Sequence, residues 1–235
     1  MFSITRRLLL YFKGLCSSPE LILLFVYMQC RFSLSYRDLE EMMHMRGAKI
    51  NHSTLQRWVI KLIPLIDQEV RKRKCPVGNS WRMDETYVKL NGKWIYLYRA
   101  VDRYGDTVDF FLSERKDKSA ALSFFRKAIR DNNTPYKVVV NKSGSNKSAL
   151  DALNTELDQD HKIQIFQNKY LHNRVKQDQR FIKKRIKPML GFKNFHSANI
   201  TITGIENIRI IQKGQLIGAK KQVSTFDNFA KLMAA

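Results

Sequence analysis

The dipeptide Asn91-Gly92 constrains this chain more than any other feature. Before it, WRMDETYVKL over residues 81–90 alternates in character, and after it WIYLYRAV over 94–101 does the same. Asn and Gly both tolerate the positive φ that a two-residue type I′ turn requires, so the stretch is predicted to be a β-hairpin. Side chains alternate along a strand, which sends Asp84 and Glu85 to opposite faces. A further turn near Tyr104-Gly105 leads into a third strand, TVDFFL over 107–112. Helical spacing follows over 118–130 through Ala121, Leu122, Phe125, Ala128 and Ile129. KVVV over 137–140 is the short apolar run of a buried parallel strand, and a helix over 148–153, a strand over 163–166 and a basic helix over 173–187 complete the series. Three strands, helix, strand, helix, strand, helix is the order of an α/β, ribonuclease H-like core with a mixed five-stranded sheet. A strand order says little about chemistry by itself.

The first 75 residues read as helical. Pro19-Glu20 opens one helix, and its apolar run from Leu21 to Met28 falls far short of the roughly 20 residues that cross a bilayer, so it is expected to be buried in protein. No membrane segment is predicted. Arg6 and Arg7 precede a leucine run that Lys13 interrupts, so a secretory leader is not expected either. Tyr36, Leu39, Met42 and Met43 share a helical face, and Gly47 ends that helix. A second helix is expected from Ser53, with Ser53 and Gln56 at the spacing of a capping box. Its apolar face is Leu55, Trp58, Val59 and Leu62. The opposite face presents Thr54, Gln56, Arg57 and Lys61, groups that reach phosphates and base edges when a helix lies in a major groove. Two helices and a glycine turn also occur in plain bundles. The expected organisation is a helical DNA-binding module over 1–75 with a helix-turn-helix at about 36–66, a core over 76–200 entered through the basic linker RKRKCPVG, and a C-terminal helical segment and tail over 201–235.

Charge favours the nucleic-acid reading. Lys and Arg total 42 against 21 Asp and Glu, a formal charge of +21, which suits a polyanion; an anionic membrane surface is the weaker alternative. The basic residues between Lys169 and His196 (Lys169, Arg174, Lys176, Arg180, Lys183, Lys184, Arg185, Lys187, Lys193) face one acid, Asp178. They form either a solvated helix face or a track for DNA phosphates, and Arg174, Arg180, Lys183, Lys184, Arg185 and Lys187 are the DNA contacts expected from the second reading. Cys16, Cys30 and Cys75 fit neither a disulfide framework nor a zinc site. Trp81, Trp94, Tyr96 and Tyr98 alternate on strands and read as core rather than as base-stacking surfaces.

Two-metal phosphoryl transfer needs carboxylates from separate elements to hold a pair of cations roughly 4 Å apart. Asp84 in the first strand is one such group. The end of the fourth strand carries Asn141 and the last helix carries Lys176. Three stretches, LSYRDLEEM, MDETYVKLNGKWIYLYRAVD and KPMLGFKNFHSANITITGIENIRIIQKGQ, resemble the DDE-type transposases of small bacterial insertion sequences, family six, which move by a cointegrate pathway. The resemblance runs over about 36–215. It implies an Asp, a second Asp and, about 34 residues later, a Glu, where this chain reads Asp84, Asn141 and Lys176. It implies two magnesium ions, cleavage at element ends, and transfer of the freed 3′ hydroxyl to target DNA. The implied partners are double-stranded DNA bearing terminal inverted repeats, target DNA, and further copies of the chain assembled on DNA at a bacterial nucleoid in the cytoplasm. Asn141 keeps a carbonyl, which leaves it and Asp84 as a weak metal site, whereas the ammonium of Lys176 offers no acceptor at all. Asp178 is about 200° further round the helix from Lys176 and cannot take its place. Asp to Asn and Glu to Lys are each one G-to-A transition, as in a multi-copy element drifting without selection on catalysis. Two readings stay open: a transposase impaired in catalysis, or a non-catalytic DNA-binding remnant or regulator that occupies element ends.

Overall fold

The computed structural model describes residues 4–141, 144–168, 173–219 and 222–234, with the backbone alone at Arg7, Asn173 and Arg174. The chain divides into two units, one of Met1–Cys75 with Lys184–Ala235 and one of Pro76–Lys183. The boundary expected at 200 is therefore replaced by one at 183/184, and the C-terminal stretch is no separate segment. The reason is packing: the helix spanning 200 is buried along its length among the N-terminal helices.

In the first unit, α1 (Arg6–Leu9) precedes α2 (Pro19–Arg31), where Pro19 supplies a preset φ in the first turn and Ser18 Oγ accepts the Leu21 amide at 3.3 Å. α3 (Tyr36–Met45) carries a full capping box: the Ser35 amide donates to Asp38 at 2.7 Å and the Asp38 amide to Ser35 Oγ at 3.1 Å. Gly47, at φ 78°, turns the chain toward α4 (His52–Arg73). The cap of α4 is not Ser53 with Gln56. Asn51 is extended and its side chain accepts the Ser53 amide at 2.9 Å, so Ser53 already lies within the first turn. At its other end α4 runs on through the expected linker to Arg73. Asp67–Arg71 at 2.9 Å and Glu69–Lys72 at 2.7 Å brace that turn, and Val70 is fully buried. Leu55, Trp58, Val59, Leu62, Ile63 and Ile66 of α4 join Ile22, Leu23, Val26 and Cys30 of α2 in one core with α8 (Phe195–Gln212) and α9 (Thr225–Ala234). The apolar run of α2 is thus a buried helix. Among the described residues no helix is long and apolar enough to cross a membrane.

The second unit holds a five-stranded sheet of order β3-β2-β1-β4-β5, built from β1 (Ser80–Leu90), β2 (Lys93–Asp102), β3 (Thr107–Ser113), β4 (Lys137–Val140) and β5 (Gln164–Gln167). β1 to β3 are antiparallel neighbours, while β4 and β5 run parallel to β1. Asn91 and Gly92 both take positive φ at the hairpin turn, as the dipeptide predicts. α5 (Lys118–Asn132) and α6 (Gly144–Glu156) pack Phe124, Phe125 and Leu150 against Trp81, Met83, Tyr98, Val138 and Val140. α7 (Asn173–Ile186) follows β5. This is the ribonuclease H-like arrangement expected from the order of elements, with β1 in mid-sheet. Lys142, Ser143 and Lys169 lie outside the described residues.

Candidate functional site

β1 presents Asp84 and Glu85, each 9% exposed, toward the end of β4, and Asn141 is the residue that follows β4. Alternation holds as predicted: Asp84 pairs in register with Arg99 and Glu85 with Tyr98, on opposite faces of the sheet. Asn141 nevertheless meets both carboxylates, because β4 pairs with β1 only as far as Arg82↔Val139 and the amide sits just beyond that last pair. Its Nδ2 donates to Asp84 Oδ1 at 3.2 Å and to Glu85 Oε2 at 2.9 Å. Asn146, fully buried in the first turn of α6, donates from Nδ2 to Glu85 Oε1 at 2.8 Å and to Asn141 Oδ1 at 3.3 Å. Turned over, Asn141 would aim its carbonyl at two carboxylates. The orientation seen sets the donor on the carboxylates.

α7 supplies the third position. Val175, Asp178, Gln179 and Ile182 are buried, whereas Lys176, Arg180 and Lys183 are exposed. Asp178 lies within the protein, where Arg99 Nη2 donates to its Oδ2 at 2.8 Å. Lys176 points to solvent, on the other side of the helix from Asp178, as the spacing predicts. Among the described residues Lys176 has no ion-pair partner. Arg99 was not singled out from sequence, although a guanidinium in the apolar run WIYLYRAV is the signal that marks a buried partner elsewhere.

The groups present do not fit a pair of magnesium ions. Hard cations require oxygen ligands, and here the second position turns an N–H donor toward the carboxylates while the third is an ammonium. Asp102, another acid near the strands, is already committed. Its side chain accepts the amides of Gly78, Tyr104 and Asp106 at 2.8, 2.8 and 2.9 Å, which holds the β2–β3 turn.

On α4, Gln56, Arg57 and Lys61 are exposed opposite the buried Leu55, Trp58, Val59 and Leu62, while Thr54 is half-buried. Arg57 Nη2 donates to Thr54 Oγ1 at 3.1 Å, so these side chains form one polar ridge. His52 Nδ1 lies 2.7 Å from Glu40 Oε2, tying the start of α4 to α3. Of the basic positions further on, Arg180, Lys183, Lys184 and Lys187 are exposed and the side chain of Arg174 lies outside the described residues. Arg185 differs from the expectation of a free basic track. It is half-buried, donates to Ser33 Oγ at 2.9 Å, and its pKa is lowered by burial and by nearby Arg31.

Trp94 also departs from its expected place. Trp81 and Tyr98 are core, but Trp94 is 59% exposed, because the hairpin extends past the helices that cover the rest of its face.

The chain is similar to known proteins over most of its length. The DDE domain family model matches residues 78–215. The transposase of insertion sequence-like element IS431mec of Staphylococcus aureus is 34% identical over 211 residues, 86% of this chain and 89% of that protein. The transposase of insertion sequence element IS257 in transposon Tn4003, also from Staphylococcus aureus, gives the same figures. Among solved structures, the HTLV-2 integrase catalytic core domain in complex with magnesium overlays 66% of this chain and 99% of its own, with a TM-score of 0.46 and 16% identity.

Proposed function

From the premise that this chain belongs to the insertion-sequence transposases with a DDE domain, we propose that it still binds DNA and no longer cuts or joins it. The observation that carries the proposal is the Asn141 amide donating to both Asp84 and Glu85, where magnesium chemistry needs a third party of oxygen ligands. Magnesium, held by oxygen ligands, would stabilise charge on the attacking and leaving oxygens of phosphoryl transfer. Of the three positions that the family fills with carboxylates, Asp84 alone retains one. The DNA contacts are Gln56, Arg57 and Lys61 with Thr54 on α4, reading duplex sequence at terminal inverted repeats, and Arg174, Arg180, Lys183, Lys184 and Lys187 on phosphates of element or target DNA. Arg185 belongs to the fold rather than to DNA. Assembly would be as a homo-oligomer on DNA, in the cytoplasm at the nucleoid.

The test is strand transfer on element-end DNA in manganese, which accepts poorer ligand sets than magnesium. Wild type is expected to bind and stay inert, and Asn141→Asp with Lys176→Glu to regain cleavage and joining. Wild-type activity equal to the double variant would overturn the reading. The exposed polar ridge of α4 favours a second reading, an occupant of element ends that blocks active copies. Loss of transposition by an active relative when this chain is added in trans would separate it from a bystander.

A further inference from the structure

The tip of the β1–β2 hairpin carries an aromatic face that the acidic site does not use. Register sets Tyr87 opposite Tyr96 and Lys89 opposite Trp94, all on the face of Glu85 and Tyr98 and opposite that of Asp84. Toward mid-sheet this face is covered, and Tyr98 stacks on Phe124 of α5 with centroids 6.0 Å apart. Toward the tip it is open: Tyr87 is 54% and Trp94 59% exposed. Tyr87 meets Trp94 edge-on at 6.1 Å and Tyr96 at 5.4 Å, so the rings hold one another in place before anything binds. The ammonium of Lys116 lies 5.7 Å from the Tyr87 ring, Lys89 is exposed on the same face of the hairpin, and Arg115 is exposed next to Lys116 in the chain, with Glu114 and Asp117 the acids of that stretch.

We infer that this face is a stacking platform for unpaired bases of single-stranded DNA, with Lys89 and Lys116 on the phosphates. Ordered, half-exposed rings within a basic rim are what sequence-tolerant single-strand binding uses. A duplex keeps its base faces covered by stacking and offers nothing to these rings. A second copy docked here by two-fold symmetry would set the same lysines against each other. The inference rests on DNA being this chain's partner. It does not depend on the α3–α4 pair, whose duplex affinity is read separately.

Trp58 and Trp81 are buried, which makes Trp94 the accessible one of the chain's three tryptophans. Titration of the full chain with oligothymidine is expected to quench tryptophan emission saturably. By anisotropy of a labelled oligothymidine, Trp94→Ala and Tyr87→Ala should each lose about 5- to 150-fold in affinity, the usual effect of removing one stacking aromatic. Trp94→Tyr should stay near wild type, and all three should keep wild-type affinity for labelled duplex and wild-type far-ultraviolet dichroism. Absence of quenching with duplex binding intact overturns this inference alone. So does unchanged affinity in Trp94→Ala, or a concentration-dependent dimer that Trp94→Ala dissolves while oligothymidine has no effect. Failure of wild type to bind either DNA overturns the DNA-binding reading as well.

Discussion

Replacing Asn141 by Asp exchanges an amide donor for a further carboxylate. The amide nitrogen stands 3.2 Å from Asp84 Oδ1 and 2.9 Å from Glu85 Oε2. Each lost donation to a charged acceptor is worth about 1.5–3 kcal/mol. Like charges about 4 Å apart repel by about 4 kcal/mol per pair at an effective dielectric of about 20. One escape limits the damage, because the new carboxyl can hold a proton and donate again. Keeping that proton at pH 7 against an ordinary pKa near 4 costs about 4 kcal/mol, at about 1.4 kcal/mol per pH unit. The expected loss of unfolding free energy, read by urea denaturation at pH 7 with a chelator, is therefore about 3–5 kcal/mol. The folded pKa of the new carboxyl is raised above its unfolded value, so its contribution is fully present below about pH 4 and disappears as pH rises through the folded value. Variant and wild type should converge on acidification by about 1.4 kcal/mol per unit. Manganese should raise the melting temperature of the variant saturably and by far more than that of wild type, since only the variant offers a carboxylate at that position. A variant as stable as wild type at pH 7 in chelator, or equal manganese responses in the two proteins, would refute the electrostatic account of the site.

Singly, Asn141→Asp and Lys176→Glu should each restore far less strand transfer than the pair, with Lys176→Glu the better because it also removes a positive charge; additive recoveries would contradict a jointly held metal pair. Arg57→Ala or Lys61→Ala should weaken duplex binding in a filter assay more than Lys72→Ala, since Lys72 is paired with Glu69 and lies outside the polar ridge; equal losses would remove α4 from the interface. Binding as a whole should weaken steeply between low and moderate salt. Asn207 is buried in α8 with neither Oδ1 nor Nδ2 hydrogen-bonded among the described residues, so Asn207→Leu should stabilise the protein by about 1–3 kcal/mol in denaturant, and a loss of similar size would show that the amide has a use. Burial pushes the Cys30 thiol up to about 12, so Ellman's reagent at pH 8 should label exposed Cys16 quickly and Cys30 only on unfolding.

The β-hairpin, the order of strands and helices and the buried fate of α2 were legible because each rests on local rules of turn chemistry, periodicity and apolar length. Asp84 and its opposition to Glu85 followed from alternation. The joint hold of Asn141 on both carboxylates did not, since it depends on where β4 stops relative to β1. Ser53 was mistaken for a cap because Asn51, two residues earlier, begins the helix and accepts the amide of Ser53 itself. The second boundary was placed at 200 rather than at 183/184 because nothing local in α8 says that its isoleucines pack with Trp58 and Val26. Arg99 and Asp178 are far apart in the chain, and only their common burial identifies them as a pair.

The helical unit is interrupted in sequence by the whole of the sheet unit, and this sets an order of events during synthesis. Residues 76–183 can emerge from the ribosome and fold while α4 still lacks α8 and α9, so Trp58, Ile63 and Ile66 remain open to misassociation until translation is nearly finished. A premature stop or frameshift after about residue 190 would leave the sheet unit whole and α2 to α4 without their core. Such a product would be degraded or aggregate rather than compete for element ends, so any regulatory role for this chain requires that it be read through to α9.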